Sequence, residues 1–106
     1  MIISGGENIY SIQVEEAVSK HEAVLESAVF GIPDDEWGES VIAYVVLKPG
    51  MNATEKDIID VAKENLASYQ KPKSVKFIDA LPKAPTGKIL KRELRDPYWE
   101  DHDSNV

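Results

Sequence analysis

Lys88 is the residue of this chain best placed to do chemistry. It sits in Leu81-Pro82-Lys83-Ala84-Pro85-Thr86-Gly87-Lys88-Ile89-Leu90-Lys91-Arg92, behind Pro82, Pro85 and Gly87. The prolines fix φ and withhold their amide donors, which predicts an exposed, stiffened loop. Gly87 permits a sharp turn directly before the lysine. Ile89, Leu90 and Leu94 follow at spacings that suit a short helix resting on a core. Such a loop holds a compact, hydrated ammonium away from the body of the protein. That charge suits a phosphate, or a carboxylate whose charge changes during reaction. Taken locally, the same residues also read as a lysine-rich surface loop that serves solubility. They do not form a P-loop, which needs glycine where Pro82 stands and Ser or Thr where Ile89 stands.

Three other places could meet a ligand. Gly5-Gly6 separates two short apolar segments. It reads as a hairpin turn, and equally as a backbone without Cβ atoms that a narrow substrate could approach. Trp37 lies in the acidic loop Asp34-Asp35-Glu36-Trp37-Gly38-Glu39. It is either a packing residue or an exposed face for an adenine or a thin ligand arm. Tyr69, with Lys71 and Lys73, offers a similar surface with cations beside an aromatic ring. His21 and His102 are far apart, and no metal-ligand spacing emerges. Asn52-Ala53-Thr54 matches a glycosylation sequon, but Thr54 is better explained as a helix cap. No Ser/His/Asp or Cys/His arrangement supports a hydrolase.

The elements that must position these residues fit one small domain. The chain has 106 residues and a 42% hydrophobic fraction, enough for one core and too apolar for general disorder. With no cysteine there is neither a disulfide framework nor a thiolate metal site. That composition fits the cytoplasm, as does a first segment without a basic signal-peptide region. The longest apolar run, Val41 to Leu47, is too short to span a bilayer. A net charge of −7 argues against general affinity for nucleic acid. Yet residues 71–95 hold eight of the twelve basic side chains and only two acids, which suggests a local anion site.

Local patterns predict a β-hairpin over Met1–Tyr10 and a helix capped by Ser11, with Val14, Ala17, Val18 and His21 on one face. Val24–Phe30 reads as a strand stopped by Gly31 and Pro33, and Val41–Leu47 as a buried strand. Thr54 and Asp57 predict a capping box for a helix with Ile58, Val61, Ala62 and Leu66 as its stripe. Ser74–Ile78 reads as a third strand. Lys88–Arg95 reads as a short helix ended by Pro97, and Tyr98–Val106 as a polar tail held only where Tyr98 and Trp99 pack. The expected fold class is α+β, a small sheet with a short N-terminal hairpin, covered by helices.

Four ordered motifs carry a resemblance. Leu81–Arg95 is similar to the closing P-K-x-x-x-G-K-hydrophobic motif of the adenylate-forming acyl-CoA synthetases. Ile3-Ser4-Gly5-Gly6-Glu7-Asn8-Ile9-Tyr10 resembles the glycine turn that opens their C-terminal domain. Val29–Glu39 and Tyr69-Gln70-Lys71-Pro72 fit the same pattern in the same order. The resemblance covers residue 1 to about residue 99, with residues 100–106 left as a tail. It is closest to ligases of fatty or medium-to-long-chain carboxylic acids.

The resemblance implies a two-step reaction. A carboxylate attacks the α-phosphate of ATP, and the thiol of coenzyme A then displaces AMP. It implies that Lys88 bridges the carboxylate and the α-phosphate. It implies that Ser4, Gly5 and Gly6 shape the thiol tunnel, and that Trp37, Tyr69, Lys71 and Lys73 contact coenzyme A. It also implies a rotation of the domain that presents first the lysine loop and then the glycine turn. Nothing here matches the family's Ser/Thr/Gly-rich phosphate loop. The large N-terminal domain that holds most of the ATP, acyl and Mg²⁺ sites is therefore expected outside this chain, as for an excised domain or a truncated reading frame. One departure is Ser11, where the family usually has proline. A stand-alone anion-binding or interaction module without catalysis is the rival reading.

Overall fold

The computed structural model describes residues 1–103. Strands β1 (Ile2–Ser4) and β2 (Glu7–Ile9) form a hairpin of their own. Helix α1 (Ser11–Val18) follows, then the long hairpin of β3 (Val24–Asp34) and β4 (Gly38–Leu47). Helix α2 (Glu55–Asn65) crosses over, a 3-10 turn at Ser68–Gln70 leads out of it, and β5 (Ser74–Phe77) runs parallel to β4. Helix α3 (Lys91–Asp103) closes the fold. The main sheet has the order β3-β4-β5, so β4 is central. This is the small α+β sheet with an N-terminal hairpin and covering helices that the patterns predict.

Strand β4 shows why Val41–Leu47 is apolar throughout. Successive side chains of a strand point to opposite faces. Val41, Ala43 and Val45 join Ile2, Ile9, Val14, Val18, Ile58 and Ala62 in the core under α1 and α2. Tyr44 and Val46 join Ala28, Leu81, Ile89 and Leu94 in a second cluster under α3. A strand covered on both faces has no polar side to show.

Helix α2 starts as predicted. The Thr54 hydroxyl accepts from the Asp57 amide at 3.1 Å, and the Asp57 carboxylate accepts from the Thr54 amide at 2.9 Å. These bonds, the backbone one first, hold the Asp57 carboxyl below its usual range.

Four local readings give way in the fold, most of them to tertiary contacts. Ser11 is not the cap of α1. Tyr10 takes that place and makes no side-chain cap bond, while the Ser11 hydroxyl instead meets the Lys91 ammonium at 3.2 Å. Helix α1 ends at Val18, so His21 lies beyond it, in a turn where its Nδ1 accepts from the Ala23 amide at 3.1 Å. Gly31 and Pro33 do not stop β3, which continues to Asp34. On an edge strand, proline costs no ladder bond when its nitrogen faces outward. Pro97 does not end the last helix either. It cannot donate to Glu93, but the residues after it are anchored. The Tyr98 and Tyr44 hydroxyls lie 2.7 Å apart, and the Trp99 indole N–H donates to the Gly31 carbonyl at 2.9 Å. The expected tail is therefore helical to Asp103, and residues 104–106 lie outside the described residues. Among the described residues no helix is long and apolar enough to cross a membrane.

Candidate functional site

Two separate regions carry the residues that the sequence singles out. The first is a groove of about 290 Å³ lined by Ser4, Gly5, Glu7, Trp37, Ser40, Val41, Ser68, Tyr69, Lys71 and Lys73. It gathers six of the seven side chains and backbone positions expected to meet coenzyme A, drawn from three stretches far apart in sequence. Gly6 is the one outside it.

Each wall is held by its own device. The β1–β2 turn has Gly5 at φ 58° and Gly6 at φ 83°, both positive, as tight two-residue hairpins require. The turn is docked by two bonds. The Gly5 amide donates to the Trp37 carbonyl at 2.9 Å, and the Ile3 amide donates to the Glu39 carboxylate at 2.6 Å. The two glycines then differ. A Cβ on Gly5 would stand 2.6 Å from Cε3 of Trp37, so the space it vacates is already taken by the indole. A Cβ on Gly6 would meet nothing within 4 Å. Gly5 is thus a seat for tryptophan, and Gly6 is the open side of the turn.

Trp37 is presented by Asp34. One Asp34 carboxylate oxygen accepts from the amides of Glu36 at 2.9 Å and Trp37 at 3.0 Å, while the other accepts from Lys73 Nζ at 2.9 Å. The Lys73 bond first, and the Trp37 amide next, hold this carboxyl below its usual range. Trp37 is left 49% exposed, and Tyr69 48% exposed, so both rings that line the groove are half open to solvent. Tyr69 sits on the 3-10 turn. Gln70 ties that turn to α1 through Gln13 at 3.0 Å, and the Lys73 amide donates to the Val41 carbonyl at 2.9 Å. Lys73 is committed to Asp34, whereas Lys71 has no ion-pair partner among the described residues.

The second region is the Lys88 loop. It is a closed hairpin. The Gly87 amide donates to Ala84, the Ala84 amide to Lys88 and the Leu90 amide to Pro82, each at 2.8 Å, and Lys83 bridges Ile89 across the base. Pro85 occupies the turn position that suits its fixed φ, and Gly87 takes φ 91°, which a residue with a Cβ rarely adopts. Lys88 itself is exposed and lies before α3, not within it as the pattern of Ile89, Leu90 and Leu94 predicts. None of residues 82–90 lines the groove.

Sequence reasoning passed over several groove residues. Ser40, Val41, Ser68 and Glu7 line it, and Asp34 and Glu39 orient its walls. Only Asp34 left a local signal: an Asp followed at two and three residues by amides it can cap. Among the described residues, no three His, Cys, Asp or Glu side chains come together as a metal-ligand set.

Comparison with known proteins fits this geometry. Residues 13–88 match the model of the AMP-binding enzyme C-terminal domain. A substituted-propanoyl:CoA ligase of Rhodococcus jostii is 48% identical over 96 residues, covering 91% of this chain and 19% of its own length. A long-chain-fatty-acid–CoA ligase of Bacillus subtilis is 46% identical over 102 residues, covering 96% of this chain and 18% of its own. The solved Mycobacterium tuberculosis fatty acyl CoA synthetase superposes with a TM-score of 0.86 at 45% identity, over 92% of this chain and 19% of that one. The chain thus spans about a fifth of the length of these relatives. With a matching fold, a family-model match over most of its length and identities well above 30%, the chain belongs to the AMP-binding enzyme C-terminal domain family.

Proposed function

We propose that this chain is the C-terminal domain of an ATP-dependent acyl-CoA synthetase and works against a large N-terminal domain of the same polypeptide. Lys88 serves the first half-reaction. A carboxylate oxygen attacks the α-phosphorus of ATP, the bond to the pyrophosphate oxygen breaks, and the ammonium stabilises the charge that develops between them. The groove serves the second. The coenzyme A thiol loses its proton and its sulfur attacks the acyl carbonyl carbon, which expels AMP. Trp37 and Tyr69 flank the arm of coenzyme A, Ser4, Gly5 and Gly6 shape its passage, and Lys71 and Lys73 line its phosphate end, Lys73 while still paired with Asp34. Mg²⁺, ATP and the acyl chain are held mainly by the N-terminal domain, and the domain rotates between the two steps. Residues 1–99 form the working unit.

The observation that carries this reading is the groove itself, which brings together residues singled out at three distant places in the sequence. A thin, partly apolar arm with a phosphate end suits aromatic walls beside a free cation. A solitary anion-binding module would need no such walls. The two ligases above act on different acyl groups by their names although both resemble this chain, which supports assigning acyl choice to the other domain.

The test is ATP–pyrophosphate exchange with a panel of fatty acids. The 106-residue chain should melt cooperatively and show no exchange, while the full-length protein should show it. One lysine hairpin cannot hold three reactants in register. Robust exchange by the chain alone would overturn the proposal.

A further inference from the structure

We propose that two ion pairs, Lys83–Glu26 and Lys91–Glu15, position Lys88 for adenylation by fixing both feet of its hairpin to different elements. The inference rests on the role proposed for Lys88 and adds the residues that aim it. Glu26 and Glu15 are positioning residues, with no contact to reactants required of them.

The argument begins with the hairpin's own bonds. They make residues 82–90 a closed unit, so Lys88 goes where the unit's base goes. Its tip, Pro85 to Lys88, is exposed and offers no hold. The first foot is Lys83, whose Nζ lies 2.6 Å from Glu26 Oε1 on β3. The second is Lys91, whose Nζ lies 2.7 Å from Glu15 Oε2 on α1 and 3.2 Å from the Ser11 hydroxyl. Glu15 is itself held: the same oxygen accepts from the Val29 amide on the β3 edge at 2.9 Å. Beside the feet, Leu81 and Ile89 rest on Ala28 and Val46, which sets depth but leaves sliding along an apolar surface cheap. Two charged pins on separate elements remove that sliding.

Exposure decides what the pins do. The four side chains are between 22% and 41% exposed. Ion pairs so wetted add little to global stability. Their effect therefore falls on placement, and a misplacement of about 1 Å can cost about a hundredfold in rate.

The test uses Lys83→Met, Lys91→Met and the charge-exchanged pair Lys83→Glu with Glu26→Lys. Glu15 is left intact because its loss would strip the Val29 amide of its acceptor. Hydrogen exchange of segment 82–90 and thermal melting are measured on the chain. Pyrophosphate exchange, and thioester formation from supplied acyl-adenylate, are measured on the full-length protein, with Lys88→Ala alongside. Each methionine variant should lower kcat of adenylation about tenfold, with KM for ATP and thioester formation changed less than about twofold. Segment 82–90 should exchange faster while the melting temperature barely moves, and the exchanged pair should recover most of both losses. Unchanged exchange at 82–90, equal losses in both half-reactions, or no recovery in the exchanged pair would each overturn the proposal. If Lys88→Ala leaves pyrophosphate exchange intact, the role of Lys88 falls instead, and the hydrogen-exchange arm still judges the pins on their own.

Discussion

The Lys88 hairpin and the Trp37 groove are built by opposite means. The hairpin closes on itself within residues 82–90, through a proline, a positive-φ glycine and short backbone bonds. The groove has no local unit at all. Its walls come from a β-turn near residue 5, a hairpin tip near residue 37 and a 3-10 turn near residue 69, held by side-chain carboxylates and packing. A local device can present one charge on a stalk. Enclosing an elongated ligand takes surfaces from several elements, which only folding brings together. If the two regions serve two half-reactions, changes in each should separate the reactions.

The largest separation is expected at the lysine. In the full-length protein, Lys88→Ala should slow adenylation by about a hundredfold or more, the usual cost of one preorganised electrostatic contact. Thioester formation from supplied acyl-adenylate should be largely spared. Equal loss in both steps would erase the distinction between the regions.

The groove should show the reverse split. Trp37→Ala removes an aromatic contact worth about 1 kcal/mol, or about fivefold in the KM for coenzyme A. Gly5→Ala should act in the same direction, because the methyl group collides with the indole. Gly6→Val should act through backbone strain at φ 83°. Adenylation should stay near normal in all three. Steady-state kinetics of each half-reaction decide the matter. A loss confined to pyrophosphate release would place the groove on the wrong step.

A third expectation sharpens how the groove holds its tryptophan. Asp34 has a lowered pKa in the fold because Lys73 and the Trp37 amide favour its charged form. Its contribution is therefore complete above the ordinary carboxyl value of about 4 and fades as pH falls through the lowered folded value. The indole signal of Trp37, followed by NMR, should lose its folded position in acid ahead of that of Trp99, which is held by a carbonyl. Asp34→Asn should shift the Trp37 signal already at neutral pH. Indole signals that move together would show that Asp34 does not present the ring.

The smallest effect concerns the face that carries the hairpin. Burial first, and then the bond to Tyr98, push the Tyr44 hydroxyl up to about 12. A value raised above the unfolded one of about 10 means a contribution complete below that pH and lost as pH climbs through 12. Ultraviolet titration should show one late tyrosine, and Tyr98→Phe should bring it earlier. No change would mean that burial alone sets the value.

Much of this molecule was legible before folding. Lys88 stood out because proline, glycine and lysine act on their immediate neighbours, so a local reading could see the stalk, though not that it closes as a hairpin ahead of α3. The capping box of α2 and the strand of β4 were equally legible, one from a reciprocal side-chain pair and the other from apolarity on both faces. Local signals failed wherever a distant partner supplied the energy. Pro97 sits inside a helix because Tyr98 and Trp99 are anchored to β4 and β3. Pro33 sits inside a strand because that strand is an edge. Ser11 is recruited by Lys91 from the far end of the chain.

The candidate site divides along the same line. Residue types named its chemistry: an exposed ammonium, two aromatic rings, and glycines that admit close approach. Those follow from side-chain chemistry and short-range backbone geometry, which a sequence carries by itself. Which glycine seats the tryptophan, which lysine is spent on Asp34 and which carboxylates pair with Lys83 and Lys91 were decided by the tertiary structure. These are relations between residues tens of positions apart, and their distances exist only once the sheet has brought the segments into contact.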